Sequence, residues 1–230
     1  MYYPANWHTH TVWCDGKDSP AAMAEAAVAA GFKALGFTSH AMLPVARRGY
    51  LSPETAPKYA AEVRSLRGRF AGRLEVFCGV EADYLPGSST PESRRYAEIA
   101  PDYMIGSVHW AVAEDGAAVP VDDTPEKLAR GIKEHFGGDV RAFVRTYFAM
   151  QREMAASFDF DIIGHPDLVR KFNRVLGLFD EAADWYMGEL EAAADAFAKS
   201  GKIVELLDHV LTTFFSPLAF ISCTLLRSTG

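Results

Sequence analysis

Residues 6–16, NWHTHTVWCDG, place two histidines two positions apart and an aspartate five residues after the second. In an extended strand, residues two apart project from the same side, so His8 and His10 can bind one ion together. Neutral imidazole and carboxylate are ligands for zinc, iron and manganese. Asp15 precedes a glycine and, taken alone, is most simply a turn residue. The segment indicates part of a metal site that needs further ligands from elsewhere in the chain.

Other histidines and one glutamate occur where later apolar runs, interpreted as strands, come to an end. His40 ends GFTSH, His109 ends IGSVH, His165 ends IIGH and Glu81 ends the strand in CGVEA. In parallel α/β folds, ligands bind at the carboxyl ends of the strands, so these side chains are expected to meet at one rim. The candidate metal ligands are therefore His8, His10, Asp15, His40, Glu81, His109 and His165.

Each candidate taken singly has a simpler explanation, because a lone histidine in a strand is usually a core or surface residue with a hydrogen bond. Five imidazoles at one rim without a metal, however, would leave many polar nitrogens needing partners. One catalytic zinc takes three protein ligands, so seven candidates predict two divalent ions, or three if a carboxylate bridges them. Glu81 is the expected bridge. His135, in a polar insertion, and His209, near the C-terminus, are assigned no role.

The elements that would position these residues alternate along the chain. A first strand at residues 7–12 leads through a turn to a helix that begins at Pro20, capped by Asp18 or Ser19, and ends at Gly31. Further helices, around residues 53–70, 91–99, 140–157 and 180–200, each precede an apolar strand. This alternation predicts a parallel sheet covered by helices, with an α/β barrel as the best fit and a doubly wound sheet as the alternative. Residues 114–138 are predicted to be an insertion over one end of the sheet, of the kind that forms lids or substrate loops.

The bulk composition limits the class of protein. The chain has 230 residues, of which 49% are hydrophobic and 23% charged, as in an ordinary globular protein. A net charge of −7 argues against nucleic-acid binding but not against an anionic substrate, because bound metal ions reverse the local field. Three cysteines without a pairing pattern favour a reducing, cytoplasmic setting. Neither a secretory signal nor a confident membrane span is predicted.

The ordered set of motifs resembles the polymerase and histidinol phosphatase (PHP) family, most closely its histidinol-phosphate phosphatase branch. The segments that carry the likeness are NWHTHTVWCDG, GFTSH, GVEADY, IGSVHW and DIIGHPDLVRKF. The resemblance implies a distorted (β/α)7 TIM-like barrel that binds two or three zinc, iron or manganese ions. The implied grouping is His8 and His10 for the first ion, Asp15 and His40 for the second, and His109 and His165 for the third, with Glu81 bridging.

The activity that this resemblance implies is hydrolysis of L-histidinol phosphate to L-histidinol and phosphate, in histidine biosynthesis, by attack of a metal-bridging hydroxide. Phosphate monoester hydrolysis is so slow without a catalyst that the site must supply on the order of 20 kcal/mol or more. The partner is thus a small phosphorylated substrate, with no nucleic acid and no membrane. The protein general acid is not assigned.

The family pattern also includes an Asp-x-His pair near the end of a seventh strand, which the sequence lacks. Asp208 and His209 are adjacent, and in a strand they would face opposite sides. We therefore expect a PHP domain over residues 1–205, followed at 206–230 by an anomalous tail in which the last strand and helix are missing or altered, through truncation or a frame change. An unclosed barrel exposes a strand edge, which either the tail or a second copy in a homo-oligomer would cover.

Bound phosphate also needs positive side chains. Arg170 and Lys171 follow His165, and Arg47 follows His40, although solvated surface charge explains each of them equally well. Arg170 is the first choice because the resemblance has basic residues there. The acidic candidates for the cationic end of histidinol phosphate are Asp122 and Asp123.

Three other functions remain open at this point. One is a PHP phosphoesterase that acts on another small phosphate or a nucleotide, and another is a truncated metal-binding protein with impaired catalysis. The third is a different metal-dependent hydrolase such as an amidohydrolase, which also begins with His-x-His. That class typically needs a carboxylated lysine or a late aspartate, and no lysine ends a predicted strand.

Overall fold

The computed structural model describes residues 4–44 and 47–205. The predicted anomalous tail, with Asp208, His209 and Cys223, lies outside the described residues. Within them the strands are β1 Ala5–Asn6, β2 Ala34–His40, β3 Glu75–Asp83, β4 Met104–Ser107, β5 Trp110–Val112, β6 Ala118–Pro120, β7 Ile162–Ile163 and β8 Ile203–Val204. The α-helices are α1 Pro20–Ala29, α2 Ala56–Arg69, α3 Pro125–His135, α4 Val140–Ser157, α5 Asn173–Leu176 and α6 Asp184–Ser200. Ser93–Tyr96 and Leu168–Arg170 are short 3-10 helices.

Six strands form one curled parallel sheet in the order β1-β2-β3-β4-β7-β8, while β5 and β6 form an antiparallel hairpin. The order in the sheet follows the order in the chain. A doubly wound sheet would reverse its strand order at a switch point, and the described part of the chain has no such reversal. The topology is therefore that of a half-barrel, as the barrel interpretation predicted.

The pairing register places the ends of the strands at one rim. His40, the last residue of β2, pairs with Glu81 of β3. Ile163, the last residue of β7, pairs with Gly106 of β4 and with Val204 of β8. Side chains that end these strands or follow them therefore lie beside one another at the carboxyl edge of the sheet.

Most predicted helices form close to their predicted bounds. Helix α4 spans the predicted residues, and the Asp139 carboxylate caps it by accepting the Ala142 N–H at 2.9 Å. Ser19 is the cap of α1, since its hydroxyl accepts the Ala22 N–H. Helix α2 begins three residues and α6 four residues later than predicted. The prediction of a helix at residues 91–99 is wrong, because that segment forms only the short 3-10 helix Ser93–Tyr96.

The predicted bounds of the first strand are also wrong, because β1 ends before His8 and His10. Thr9 gives the reason. Its N–H donates to the Thr38 hydroxyl at 3.1 Å, and its own hydroxyl donates to the Gly36 carbonyl at 2.6 Å. Side-chain bonds therefore replace part of the regular ladder beside β2, while the two histidines still share one side of the segment.

The helices cover the outer side of the sheet and bury a continuous core. Tyr59 of α2 is fully buried, and its hydroxyl lies 2.7 Å from the carbonyl oxygens of Phe37 and Gly79, which ties α2 to β2 and β3. The predicted insertion at residues 114–138 contains β6 and α3. None of the described helices is long and apolar enough to cross a membrane.

Candidate metal centre

The carboxylate of Glu81 lies at the centre of the predicted cluster and is completely buried. Ring nitrogens of the five predicted histidine ligands surround its two oxygens. One oxygen lies 3.2 Å from His8 Nε2, 3.1 Å from His10 Nε2 and 3.1 Å from His40 Nδ1. The other lies 3.4 Å from His109 Nε2 and 2.8 Å from His165 Nε2. Each oxygen thus serves a separate set of imidazoles, as a bridging carboxylate would.

Three of these imidazoles contact a second carboxylate through the ring nitrogen that faces away from Glu81. The pairs are His10 with Asp15 at 2.6 Å, His109 with Asp83 at 2.6 Å, and His8 with Glu205 at 2.9 Å. Asp15 also lies 3.6 Å from His40 Nε2, and these two residues form the second predicted group of ligands. A carboxylate at one ring nitrogen fixes the tautomer and directs the lone pair of the other nitrogen toward a metal.

Asp83 and Glu205 were not among the residues predicted from the sequence. Asp83 lies two residues after Glu81 and therefore on the same side of β3, which continues two residues beyond its predicted end. Glu205 directly follows β8, the position used to select the other ligands. Selection of polar residues at or just after the ends of strands, the criterion used for the other ligands, could have found both. His135, which was assigned no role, pairs at the surface with Asp115 at 2.9 Å.

Burial and mutual pairing shift the pKa values within this cluster. Burial opposes the charged form of His8, but the carboxylates of Glu205 and Glu81 outweigh it and raise the His8 pKa to about 10. Burial acts on His109 in the same way, and Asp83 and Glu81 raise its pKa to about 9. Although burial favours the neutral carboxyl of Glu81, the surrounding imidazoles hold its pKa well below the usual value. In the metal-free protein, positive imidazoles therefore neutralise the buried carboxylates.

A cavity of about 320 Å³ opens over this cluster at His40 and His109. Its walls include three cationic side chains, those of Arg47, Arg48 and Lys171, and the acids Asp122 and Asp123 from the insertion. The ring of Tyr50 stacks on His40 with the centroids 4.6 Å apart, and the guanidinium of Arg47 lies 4.9 Å from the centroid of the Trp110 ring. The cavity therefore offers both charge signs beside the histidines.

Arg170 and Lys171, adjacent in the chain, have different surroundings. Arg170 forms ion pairs with Asp167 at 2.9 Å and Glu181 at 2.7 Å, and it is not part of the cavity wall. Lys171 lines the cavity and donates to the Asp122 carbonyl oxygen at 3.0 Å. Of the predicted phosphate contacts, Lys171 and Arg47 thus face the cavity, and Arg170 faces carboxylates.

The donor set fits divalent metal ions. Buried polar atoms normally have a hydrogen-bond partner, but His165 Nδ1 has none within the described ranges. His40 Nδ1 and Glu81 Oε2 lie 3.1 Å apart, yet neither atom forms a hydrogen bond there. The Nε2 atoms of His8 and His10 lie 3.2 Å apart. Two nitrogens that bind one tetrahedral zinc at about 2.0–2.1 Å lie about 3.3 Å apart. Five triads within the cluster have ligand atoms all within 4.8 Å of one another.

The sequence model of the PHP domain family matches residues 6–209. The chain belongs to the PHP family. A Deinococcus radiodurans protein named "Probable histidinol-phosphatase" is 36% identical to this PHP domain over 174 residues, which are 73% of this chain and 62% of the relative. The chain thus spans about 62% of the length of that curated relative.

Two solved structures share the fold of this PHP domain. The candidate histidinol phosphatase HisK of Listeria monocytogenes aligns with a TM-score of 0.73 at 19% identity, over 87% of this chain and 80% of that one. Histidinol phosphate phosphatase (HisK) of Lactococcus lactis, solved with zinc, L-histidinol and phosphate, aligns with a TM-score of 0.65 at 20% identity, over 89% of this chain and 73% of that one. These alignments confirm the predicted PHP-type barrel fold.

Metal uptake by this PHP domain should depend on pH, because protons and metal ions compete for the same imidazoles. The raised pKa values of His8 and His109 mean that both rings are protonated near neutral pH in the metal-free protein. We expect the apparent zinc affinity to rise between about pH 6 and about pH 8, with protons released on binding. Calorimetry in buffers of different ionisation enthalpy counts these protons, and equal affinity at both pH values would show that the rings are already neutral.

Proposed function

We propose that this PHP domain is a metal-dependent phosphomonoesterase that hydrolyses L-histidinol phosphate to L-histidinol and phosphate in cytoplasmic histidine biosynthesis. The observation that carries the proposal is the ring of imidazoles around the buried Glu81 carboxylate, open to a cavity whose wall includes three cationic side chains. The names of the Deinococcus and Lactococcus proteins, and the ligands bound to the latter, support the choice of substrate. The free thiols of Cys14 and Cys78 support a reducing compartment.

The cluster would hold two or three zinc, iron or manganese ions. The ligands would be His8, His10 and Glu81 for the first ion, Asp15 and His40 for the second, and Glu81, His109 and His165 for the third. Divalent ions held there would supply a hydroxide nucleophile at neutral pH and neutralise charge on the phosphoryl oxygens. Asp83 would keep the His109 ring oriented through its Nδ1 atom.

The cavity supplies the contacts that a phosphate monoester with a cationic end requires. The ammonium of Lys171 and the guanidinium of Arg47 would receive the phosphate dianion. Cation–π contact with Trp110 and Tyr50 holds Arg47 at the cavity wall. Asp122 and Asp123 lie in the same wall and would face the positive end of the substrate.

The proposed function is tested by phosphate release from three substrates with zinc or manganese present. We expect histidinol phosphate to be hydrolysed with a higher kcat/KM than either an aryl phosphate or a nucleoside monophosphate. Preference for the nucleotide would favour another phosphoesterase of this family. Two or more bound ions without turnover of any of the three substrates would indicate a metal-binding protein that has lost catalysis.

Removal of one cationic side chain at a time should show which of the predicted contacts binds the phosphate. We expect Lys171→Ala to lower kcat/KM by about 10- to 100-fold, because a hydrogen bond to a charged group is worth about 1.5–3 kcal/mol and each 1.4 kcal/mol is tenfold. Arg170→Ala is the matched comparison, and we expect it to weaken the contacts to Asp167 and Glu181 with a smaller kinetic effect. The opposite ranking in steady-state kinetics would assign the phosphate to Arg170.

A further inference from the structure

Glu205 is a buried carboxylate held rigidly beside the metal centre. It directly follows β8 and is 0% exposed. Its backbone N–H donates to the Ile163 carbonyl at 2.9 Å, so that the start of its side chain is fixed against β7. A buried ionised group needs partners, and the partners of this one belong to two predicted metal ligands.

The carboxylate of Glu205 determines which nitrogen of His8 is available to a metal. Its oxygens lie 3.0 and 2.9 Å from His8 Nδ1, while His8 Nε2 points the other way and lies 3.2 Å from Glu81. An ionised carboxylate only accepts hydrogen bonds, so the ring must carry a hydrogen on Nδ1. In the neutral ring that binds a metal, the free lone pair is then on Nε2 and faces Glu81.

The same carboxylate holds the backbone of His165. One of its oxygens accepts the His165 N–H at 2.9 Å. His165 has a φ of +24°, in the region that side-chain-bearing residues rarely adopt. This conformation places His165 Nε2 2.8 Å from Glu81. The hydrogen bond that the His165 N–H donates to Glu205 therefore stabilises a strained backbone that directs a second imidazole toward Glu81.

The position of Glu205 in the sheet explains how one residue reaches both histidines. Strands β1 and β8 are the two edges of the six-stranded sheet in the described part of the chain. His8 follows β1 and Glu205 follows β8, so their contact joins the two edges at the mouth of the half-barrel. The sequence separation of 197 residues shows that this contact depends on the curvature of the whole sheet.

We propose that Glu205 is a positioning residue of the metal centre. It orients His8 to bind a metal through Nε2, and it holds the His165 backbone in the conformation that directs the imidazole toward Glu81. This inference rests on the metal-binding part of the proposed function but not on the substrate. Removal of a carboxylate that orients a histidine ligand typically costs about 10- to 100-fold in metal affinity.

The test compares zinc binding by Glu205→Leu and Glu205→Gln with that of the wild-type protein, using calorimetry and elemental analysis without substrate. We expect Glu205→Leu to bind zinc about 10- to 100-fold more weakly, because the side chain keeps its size but accepts no hydrogen bond. Glu205→Gln should recover most of the affinity, since its amide oxygen can accept from both His8 and His165. Glu189→Leu is the control, because Glu189 is also a largely buried carboxylate but pairs with Arg145 and Arg152 instead of with histidines.

A second measurement reports directly on the orientation of the His8 ring. In cadmium-loaded protein with 15N-labelled histidine, coupling between cadmium and nitrogen identifies the nitrogen of His8 that binds the ion. We expect Nε2 in the wild type and in Glu205→Gln, and loss of that coupling in Glu205→Leu. If Glu205→Leu retains both the affinity of the control and the Nε2 coupling, the proposal is overturned.

If Glu205→Leu does not fold, the glutamine variant decides the question. A folded Glu205→Gln protein that no longer binds His8 through Nε2 would also overturn the proposal, because its amide oxygen should still orient the ring. Zinc binding is measured without substrate. A wild-type protein that binds zinc but hydrolyses no phosphate ester would therefore refute the proposed function and leave this test unaffected.

Discussion

Glu81→Gln should lower the metal content and the proposed phosphatase activity together. The buried carboxylate lies within 3.4 Å of ring nitrogens of the five predicted histidine ligands, and each of its oxygens contacts a different set of them. Glutamine replaces one oxygen by an NH2 group, which has no lone pair for a metal and points hydrogens at the imidazoles. The metal centre therefore loses one of the two carboxylate oxygens, and with it the ligand of one set of imidazoles. All five imidazoles also lose the negative charge that they surround.

The expected loss of activity is large. Metal ions contribute several kcal/mol to stabilisation of a charged transition state, and at about 1.4 kcal/mol per factor of ten we expect kcat/KM to fall about 10³-fold. Elemental analysis should show fewer ions per chain in the same preparation. Glu75→Gln is the matched control, because Glu75 begins the same strand but is exposed. Glu81→Asp, which keeps the charge, should retain part of the metal. Full metal content in Glu81→Gln would refute the central position of this residue.

Gly16→Ala should disrupt the segment that carries His10 and Asp15. A Cβ atom at Gly16 would lie 2.5 Å from the backbone carbon of His10 and 2.5 Å from the backbone nitrogen of Thr11. Backbone atoms cannot move aside as a flexible side chain can, so the turn itself must shift. The 2.6 Å contact between His10 and Asp15 spans this turn and would be lost or lengthened.

A displacement of about 1 Å in a catalytic group can cost about 10²-fold in rate, and we expect a loss of that size in kcat/KM for Gly16→Ala. The melting temperature should also fall, because the strained turn stabilises the fold less well. Gly188→Ala is the matched control, since a Cβ at this position in α6 would meet nothing within 4 Å. Gly188→Ala should leave the free energy of unfolding unchanged or raise it slightly, because alanine stabilises a helix by roughly 0.5–1 kcal/mol relative to glycine. Equal activity of the two variants would show that the turn tolerates the extra carbon.

Much of this protein could be predicted from its sequence, because the relevant information is local. Apolar runs that end in histidine or glutamate identify both the strands and the ends of those strands. In a parallel sheet all such ends lie on one edge, whatever the paths of the connections between them. The predicted ligands His40, Glu81, His109 and His165 are therefore brought together as expected. Helix α4 matched its predicted bounds because an aspartate cap and a continuous amphipathic run mark it clearly.

The tertiary structure alone decided which groups support those ligands and which cations reach the cavity. The hydrogen bond between His8 Nδ1 and the Glu205 carboxylate joins residues 197 positions apart, and it depends on how far the sheet curls, which no local sequence pattern specifies. Arg170 and Lys171 are neighbours in sequence, yet one forms ion pairs with carboxylates and the other lines the cavity. Spacing along the chain determines where a strand ends. The direction of a side chain in a turn, by contrast, depends on packing and hydrogen bonds with distant segments.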